Sequence, residues 1–435
     1  MPDFNGDGLG DLVVGAPLSG TGQTGRVYAY YGVRGGLPSV VTFRIGSPFT
    51  TDPSFGSTVA SAGDVNGDGY ADLAVGSRAH TYVYYGSARG ILTTPGIVLD
   101  APVSGDREFG GSGFASMGDL NNDGFADFAI GSSSQRRVYI YRGGPAGLGT
   151  LPNQTLANPD GTSFYGFGTT IAALGDIDGN GYSDLAVGAD SRMYVYQNGV
   201  GGVPMNPTFQ APRGGTVSGP GDYNGDGYGD LVAGSDVYWG GMFGFFGSPG
   251  QSLSRIDGTY PNYEFKSAGD VNGDGYSDIA AGNIVYYGGS SGFRVPIVSS
   301  STVLYEPSGG ALGQPVSCVG DVNGDGLADL LYPVGDRNVL LFQGATGGVA
   351  TRPALTLTCP DVSMRYGHSI AARGRTGGFI DLVGRTVRIC PRAWVDPCPG
   401  VENLDGVCLL KACVSDVDDV GHRHRLPLRS RPPPR

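Results

Sequence analysis

Glutamate is almost missing from this 435-residue chain: Glu108, Glu264, Glu306 and Glu402 stand alone among 40 acids, and the rest are aspartate. A surface selected for solubility alone draws on both acids. The bias toward the shorter, stiffer carboxylate instead points to tight loops that aim their oxygens inward. No apolar run approaches the ~18 residues of a membrane-spanning helix. The opening "MPDFNGDGLG" has neither the basic nor the apolar region of a secretory leader. It begins in the middle of a repeat, so we expect a truncated start with the targeting signal lying upstream. No ten-residue stretch carries a helical apolar stripe. No basic stripe precedes the C-terminal tail, which disfavours nucleic acid as a partner. The six cysteines (Cys318, Cys359, Cys390, Cys398, Cys408, Cys413) form no zinc-ligand spacing, and of the four histidines His80 and His368 fall in expected strands and His422 and His424 in the tail, so no hydrolase built on them is expected. There are 79 glycines but no Gly-X-Y period, so a collagen-like chain is excluded.

What is present is a repeat. "DVNGDGYADLAVG" (64–76) has near-copies beginning at Asp3, Asp119, Asp176, Asp222, Asp270 and Asp321, spaced 61, 55, 57, 46, 48 and 51 residues apart. Periods of this size belong to propeller blades and related arrays. A short apolar strand follows each loop, as in "DLAVGS" (72–77). A second strand alternates bulky residues, as in "HTYVYYG" (80–86) and "RRVYIYRG" (136–143). A looser one comes next ("VVTFRIGS", 40–47), and another leads into the following loop ("FGSTVASAGD", 55–64). The Tyr/Val alternation is the period of two that marks strands, bracketed by glycine turns. The tyrosines are expected to pack between neighbouring sheets, not to serve as sugar platforms.

Four strands per repeat make one antiparallel sheet, which cannot bury both faces alone. Stacked radially, seven such sheets cover one another, so the expected fold class is all-β, a β-propeller of seven four-stranded blades. The first copy lacks its leading strand, and "YGHSIAARG" (366–374) matches it, so the two ends should pair and close the ring. "FIDLVGRTVRIC" (379–390) reads as two strands of a decayed further copy, leaving an eight-bladed ring as the alternative. The expected organisation is a propeller over residues 1–390, a Cys-containing extension over 391–414, and a basic, Pro-rich, disordered tail over 415–435. The even cysteine count points to disulfides outside the cytosol.

The loop has the form D-x-[ND]-x-[DN]-G-x-x-D, with candidate ligands at positions 1, 3, 5, 7 (through the backbone carbonyl) and 9. These are Asp3, Asn5, Asp7, Leu9 and Asp11; Asp64, Asn66, Asp68, Tyr70 and Asp72; Asp119, Asn121, Asp123, Phe125 and Asp127; and Asp176, Asp178, Asn180, Tyr182 and Asp184. The last three sets are Asp222, Asn224, Asp226, Tyr228 and Asp230; Asp270, Asn272, Asp274, Tyr276 and Asp278; and Asp321, Asn323, Asp325, Leu327 and Asp329. All are oxygen donors, which selects a hard cation over zinc or copper, and the donor number suits Ca2+ better than magnesium. Hairpin turns alone explain the glycines but not three repelling carboxylates per loop. The fourth loop exchanges Asn and Asp yet keeps three carboxylates. Seven bound Ca2+ ions would turn the net charge of −12 into about +2. The ion is expected to be structural and not catalytic.

"FGSTVASAGDVNGDGYADLAVGS" (55–77) resembles the FG-GAP repeat of the integrin α-subunit head and its bacterial relatives, and the likeness runs over about residues 1–390. The resemblance implies a calcium-binding propeller on a secreted or surface protein, with its metal hairpins away from the partner-binding face. Calcium loops in all seven copies are closer to the bacterial arrays, and copies five to seven lack a clean FG head ("GGTVSGPGD", "NYEFKSAGD", "LGQPVSCVGD"). The expected function is adhesion to, or recognition of, an extracellular protein or glycan. The alternatives are a carbohydrate- or lipid-active enzyme on the same scaffold and a purely structural module of a larger envelope protein. No enzyme is expected: "GGSSG" (288–292) spells a nucleophile elbow, but the "FRVPIVSS" after it cannot form the helix an elbow requires. "NQT" (153–155) is a glycosylation sequon placed in an outer loop.

Overall fold

The computed structural model describes residues 2–371 apart from 50–51, 162–165, 213–214, 243, 246–247, 254–264, 294–300, 305–306, 308–311, 313–315 and 362–364, and adds two short strands beyond. Residues 1–388 form one compact unit; the second unit, 389–435, lies outside the described residues, and with it the Cys-containing extension and the tail.

Each repeat folds into the expected four-stranded antiparallel meander. In the second blade the strands are Thr58–Gly63, Asp72–Gly76, His80–Tyr84 and Ile97–Asp100, hydrogen-bonded in that order. The acidic loop is the hairpin between the first two. Seven sheets repeat the pattern, and their first strands touch one another in a closed circuit, so these strands line the axis.

The period of two decides how the blades pack. On the second blade, Leu73, Val75, Tyr82 and Tyr84 face one way and meet Val13, Val27 and Ala29 of the first. Its other face carries Ala74 and Val83, which receive Phe128, Ile130, Tyr139 and Tyr141 of the third. At both of these interfaces a bulky face thus sits on a smaller one, the interdigitation that close-packed interiors require, whereas blade seven meets blade one with Leu331, Val339 and Leu341. The tyrosines of the third strands, such as Tyr82, Tyr84, Tyr194 and Tyr196, are fully buried, as expected of core packing. The FG heads join the same layers: Phe55 stands edge-on to Tyr82 at 5.4 Å and Phe167 to Tyr194 at 5.5 Å, a favoured aromatic geometry.

The ring closes where the sequence placed the join. Ser369–Ala371 pairs antiparallel with Leu12–Ala16 and becomes the first strand of blade one. Around it, the Tyr28 hydroxyl donates to Asp361 at 2.7 Å, Arg26 pairs with Asp361, Tyr30 meets Tyr366, and Ser369 Oγ donates to the Gly56 carbonyl at 2.9 Å. Seven blades therefore complete the circle and the eight-bladed alternative falls. Among the described residues, Phe379–Ile380 and Thr386–Val387 pair with each other in a two-stranded sheet and with no blade. Cys318 and Cys359 are free thiols, contrary to the expected bridging, and the other four cysteines lie outside the described residues.

Candidate metal centre

The loop geometry can be followed atom by atom in the second blade. Asp64, at position 1, accepts three backbone N–H groups: Gly67 (2.7 Å) and Asp68 (3.0 Å) on Oδ1, and Gly69 (2.8 Å) on Oδ2. Asn66 Oδ1 accepts the Asp68 N–H at 3.0 Å, and Asp68 Oδ1 accepts the Tyr70 N–H at 3.0 Å. Each side chain at positions 1, 3 and 5 thus folds the backbone over itself, the local competition that makes Asx residues turn formers. The result is a tight curl held by its own side chains.

Position 9 is different in kind. Asp72 is fully buried, and its two oxygens accept the N–H of Val65 and of Gly86, each at 2.9 Å. It ties its own loop to the end of the third strand. The same pair of bonds recurs on Asp11, Asp127, Asp184, Asp230, Asp278 and Asp329. Burial pushes these carboxyls up, to about 7 for Asp72 and about 8 for Asp230 and Asp278. The two backbone donors oppose that rise, and the neighbouring loop aspartates add to it. A carboxylate oxygen that accepts one N–H keeps a second lone pair, so the structural role leaves room for a cation.

In the fourth loop, where Asp replaces Asn at position 3, Asp176, Asp178 and Asp184 bring one oxygen each to within 4.8 Å of one another. Burial and the nearby Asp176 raise the Asp178 carboxyl. Asn121, at the same position of the third loop, has a buried Oδ1 with no hydrogen-bond partner. Converging anions and an orphaned acceptor are the donor set a hard divalent ion takes, so the residues present fit such an ion. Position 5 stands apart from the fourth loop's carboxylate trio, because Asn180 occupies it and donates from Nδ2 to the Asn198 carbonyl at 2.8 Å.

Two features escaped the sequence reading. The side chain at position 7, assigned only a carbonyl role, reaches the loop of the preceding blade. A Cβ on Gly67 would stand 2.6 Å from the Phe125 ring, and one on Gly6 as close to Tyr70. The first loop glycine is therefore a landing pad as well as a turn residue in loops one, two, five and six, whereas Gly324 of the seventh loop meets nothing within 4 Å. Asn122 occupies that place in the third loop with φ 57°, a left-handed conformation asparagine tolerates. The second feature is an aspartate in the connector entering a blade. Asp52 accepts from Ser77 Oγ (2.6 Å), His80 Nδ1 (3.0 Å) and the Tyr82 hydroxyl, and Asp106 from Ser132 (2.6 Å) and Ser134 (2.7 Å). Asp160 and Asp361 hold Tyr194 and Tyr28 in the same way. Their signal was an Asp a few residues before each of four repeat heads. "GGSSG" is a turn closed by Gly292 N–H on the Gly289 carbonyl at 2.6 Å, with Ser290 exposed.

A sequence profile of the FG-GAP-like repeat matches residues 3–75, 119–187 and 176–233. Integrin alpha-PS5 of Drosophila melanogaster is 36% identical over 154 residues, covering 33% of this chain and 15% of that protein. Integrin alpha-6 of Gallus gallus is 39% identical over 150 residues (33% and 14%), and integrin alpha-5 of Xenopus laevis 36% over 214 (43% and 19%). The matched region thus spans less than a fifth of the length of these relatives. Among solved structures, BBS1N in complex with ARL6DN, soaked with lead, covers 74% of this chain and 88% of that one at 13% identity and a TM-score of 0.43, a likeness too loose to build on. The seven repeated blades, the FG heads in their aromatic layers and the profile matches together support an FG-GAP, integrin α-like family for this chain.

Proposed function

We propose that this propeller binds Ca2+ in its seven inner hairpins and acts, outside the cell or on its surface, in adhesion to or recognition of a protein or glycan partner. The observation that carries the metal reading is the in-register recurrence of three carboxylates per loop, with those of Asp176, Asp178 and Asp184 converging within 4.8 Å. Such a set repels itself in water and is favoured only when a cation neutralises it. Positions 1, 3, 5 and 9, with the carbonyl at 7, would hold the ion; its chemistry there is charge neutralisation and cross-linking of the hairpin.

Recognition is supported by the family, whose relatives above are named integrins, and by a rigid closed ring that presents loops on two faces. No helix among the described residues is long and apolar enough to cross a membrane. We place the propeller at 1–390, the small extension at 391–414 and the tail at 415–435, and assign no catalytic residue. Calorimetric titration of chelator-stripped protein with calcium tests the metal reading, and glycan-array and pull-down binding in calcium against EDTA tests recognition. No calcium uptake together with an unchanged melting curve would end the first; no partner in either format would end the second.

A further inference from the structure

A single exposed aliphatic residue needs no explanation, since apolar atoms make up much of any protein surface. Here the exposed ones are sorted. Eight large hydrophobic side chains stand exposed among the described residues, and seven of them lie in one class of loop, the one joining the third and fourth strands of a blade. Five successive blades present at least one each: Val40 in 31–42, Leu92 in 85–96, Leu151 in 142–153, Val200 in 197–208 and Met242 in 239–250. Their exposure runs from 45% for Leu92 to 92% for Val200.

The same loops avoid acid. From 31–42 round to 287–300 and 343–354, the seven contain no Asp and no Glu, in a chain with 40. Arg34, Arg89, Arg142 and Arg352 stand exposed in them, and none of the four forms an ion pair among the described residues. The connectors at the opposite end, by contrast, hold Asp52, Asp106, Asp160 and Asp361. Backbone bonds fix where the acid-free loops sit. The Ser87 N–H donates to the Phe4 carbonyl at 3.1 Å, Gly144 to Val65 at 3.0 Å, Gly289 to Tyr223 at 3.0 Å and Ala345 to Val271 at 3.1 Å. In blades two, three, six and seven the loop is thus bonded to the acidic hairpin of the blade before it. Because the first strands line the axis, the hairpins make the inner circle of one face and these loops its outer circle.

Separate tips on five blades do not make the contiguous patch that a protein partner needs. A fluid interface takes separated tips together, each at its own depth, and arginine without neighbouring acid suits anionic headgroups. We propose that this face docks peripherally on an anionic lipid surface, the outer loops placing their apolar tips at the headgroup boundary and their arginines on phosphate. The hairpin carboxylates share the face and would oppose such a surface if bare, so the proposal takes their cation load from the metal reading above. The opposite face is left outward, free to meet a partner.

The test is flotation of the full chain, in calcium, with vesicles of phosphatidylcholine alone and of phosphatidylcholine mixed two to one with phosphatidylglycerol. The variants are Leu151→Ser with Val200→Ser, and Arg34→Gln with Arg89→Gln. All four side chains are exposed, so melting temperatures should stay unchanged. Wild type should bind the anionic vesicles, and the phosphatidylcholine ones at least about tenfold more weakly. Each double variant should lose about tenfold or more, since one arginine at such a surface is worth about fivefold. Both variants keep every hairpin acid, so unchanged binding by the Leu151→Ser, Val200→Ser pair would mean that calcium alone bridges protein to lipid, and would overturn the docking. No binding to either vesicle overturns it too, and calcium uptake titrated on the same sample shows whether the metal reading falls with it. Dimers in calcium that the same pair of substitutions abolishes, with no vesicle bound, would give the face to a second copy of the chain and not to lipid.

Discussion

Asp72→Asn separates the two roles that the loop aspartates combine. The substitution is nearly isosteric, but an amide has one acceptor oxygen where the carboxylate has two. Either the Val65 or the Gly86 N–H, both now bonded at 2.9 Å to fully buried Asp72, loses its acceptor and faces an NH2 group. A buried donor left unsatisfied costs about 1–3 kcal/mol. In calcium the variant also weakens one metal site, and an ion at ~100 times its dissociation constant contributes about 2.7 kcal/mol. The penalty in calcium should then be about 4–6 kcal/mol. In EDTA at pH 8 the metal contribution is gone. Wild type meanwhile must hold a buried carboxylate whose pKa burial lifts to about 7, beside Asp64 and Asp68, a cost the neutral amide avoids. There the penalty should fall to about 1 kcal/mol or below. Urea unfolding followed by fluorescence, with calcium and with chelator, measures both values. An equal penalty in the two buffers would mean that these oxygens hold no ion, and the metal reading would fail at this blade.

Stability of the calcium-free protein should fall as pH rises from 5 to 8. The folded state keeps a proton on Asp127 up to about 6, on Asp11, Asp72, Asp184 and Asp329 up to about 7, and on Asp230 and Asp278 up to about 8, while the unfolded chain releases it near 4. The stabilising contribution is full below the unfolded value and is lost through that window. Melting curves should show calcium reversing the trend, because the ion binds the ionised form; a flat chelator profile would contradict the burial argument. Asp361→Ala removes the acceptor of the Tyr28 hydroxyl and the partner of Arg26 at the ring closure. It should cost about 1–3 kcal/mol and speed hydrogen exchange in Leu12–Ala16 more than in Leu185–Ala189. Gly67→Ala should destabilise more than Gly69→Ala: both have positive φ, 74° and 90°, but only the first drives a methyl to 2.6 Å from the Phe125 ring, whereas the second meets nothing within 4 Å. Equal thermal shifts for the pair would remove the staple between neighbouring loops.

The strands and the acidic hairpins were legible because their causes are local. Alternation in "HTYVYYG" gives one small and one bulky face, and an aspartate at position 1 folds its loop through donors three to five residues away. The join at residues 366–374 was legible too, since a missing strand leaves a gap that only a matching pattern fills. The Phe125 ring over Gly67 and the Asp52 contacts with Ser77 and Tyr82 were not, because each joins residues 25–58 positions apart that only the sheet order brings together.

By itself the sequence determined everything governed by spacing along the chain: seven repeats, four strands in each, a curled loop of oxygen donors and the strand that completes the first blade. Only the tertiary structure decided that the circle shuts at seven, that position 9 is as much a backbone clamp as a candidate ligand, and that the exposed apolar side chains gather in the outer loops of one face. Hydrogen bonds within a turn depend on near neighbours, whereas closure, burial and a shared face depend on blades that meet only after the whole chain has wound round.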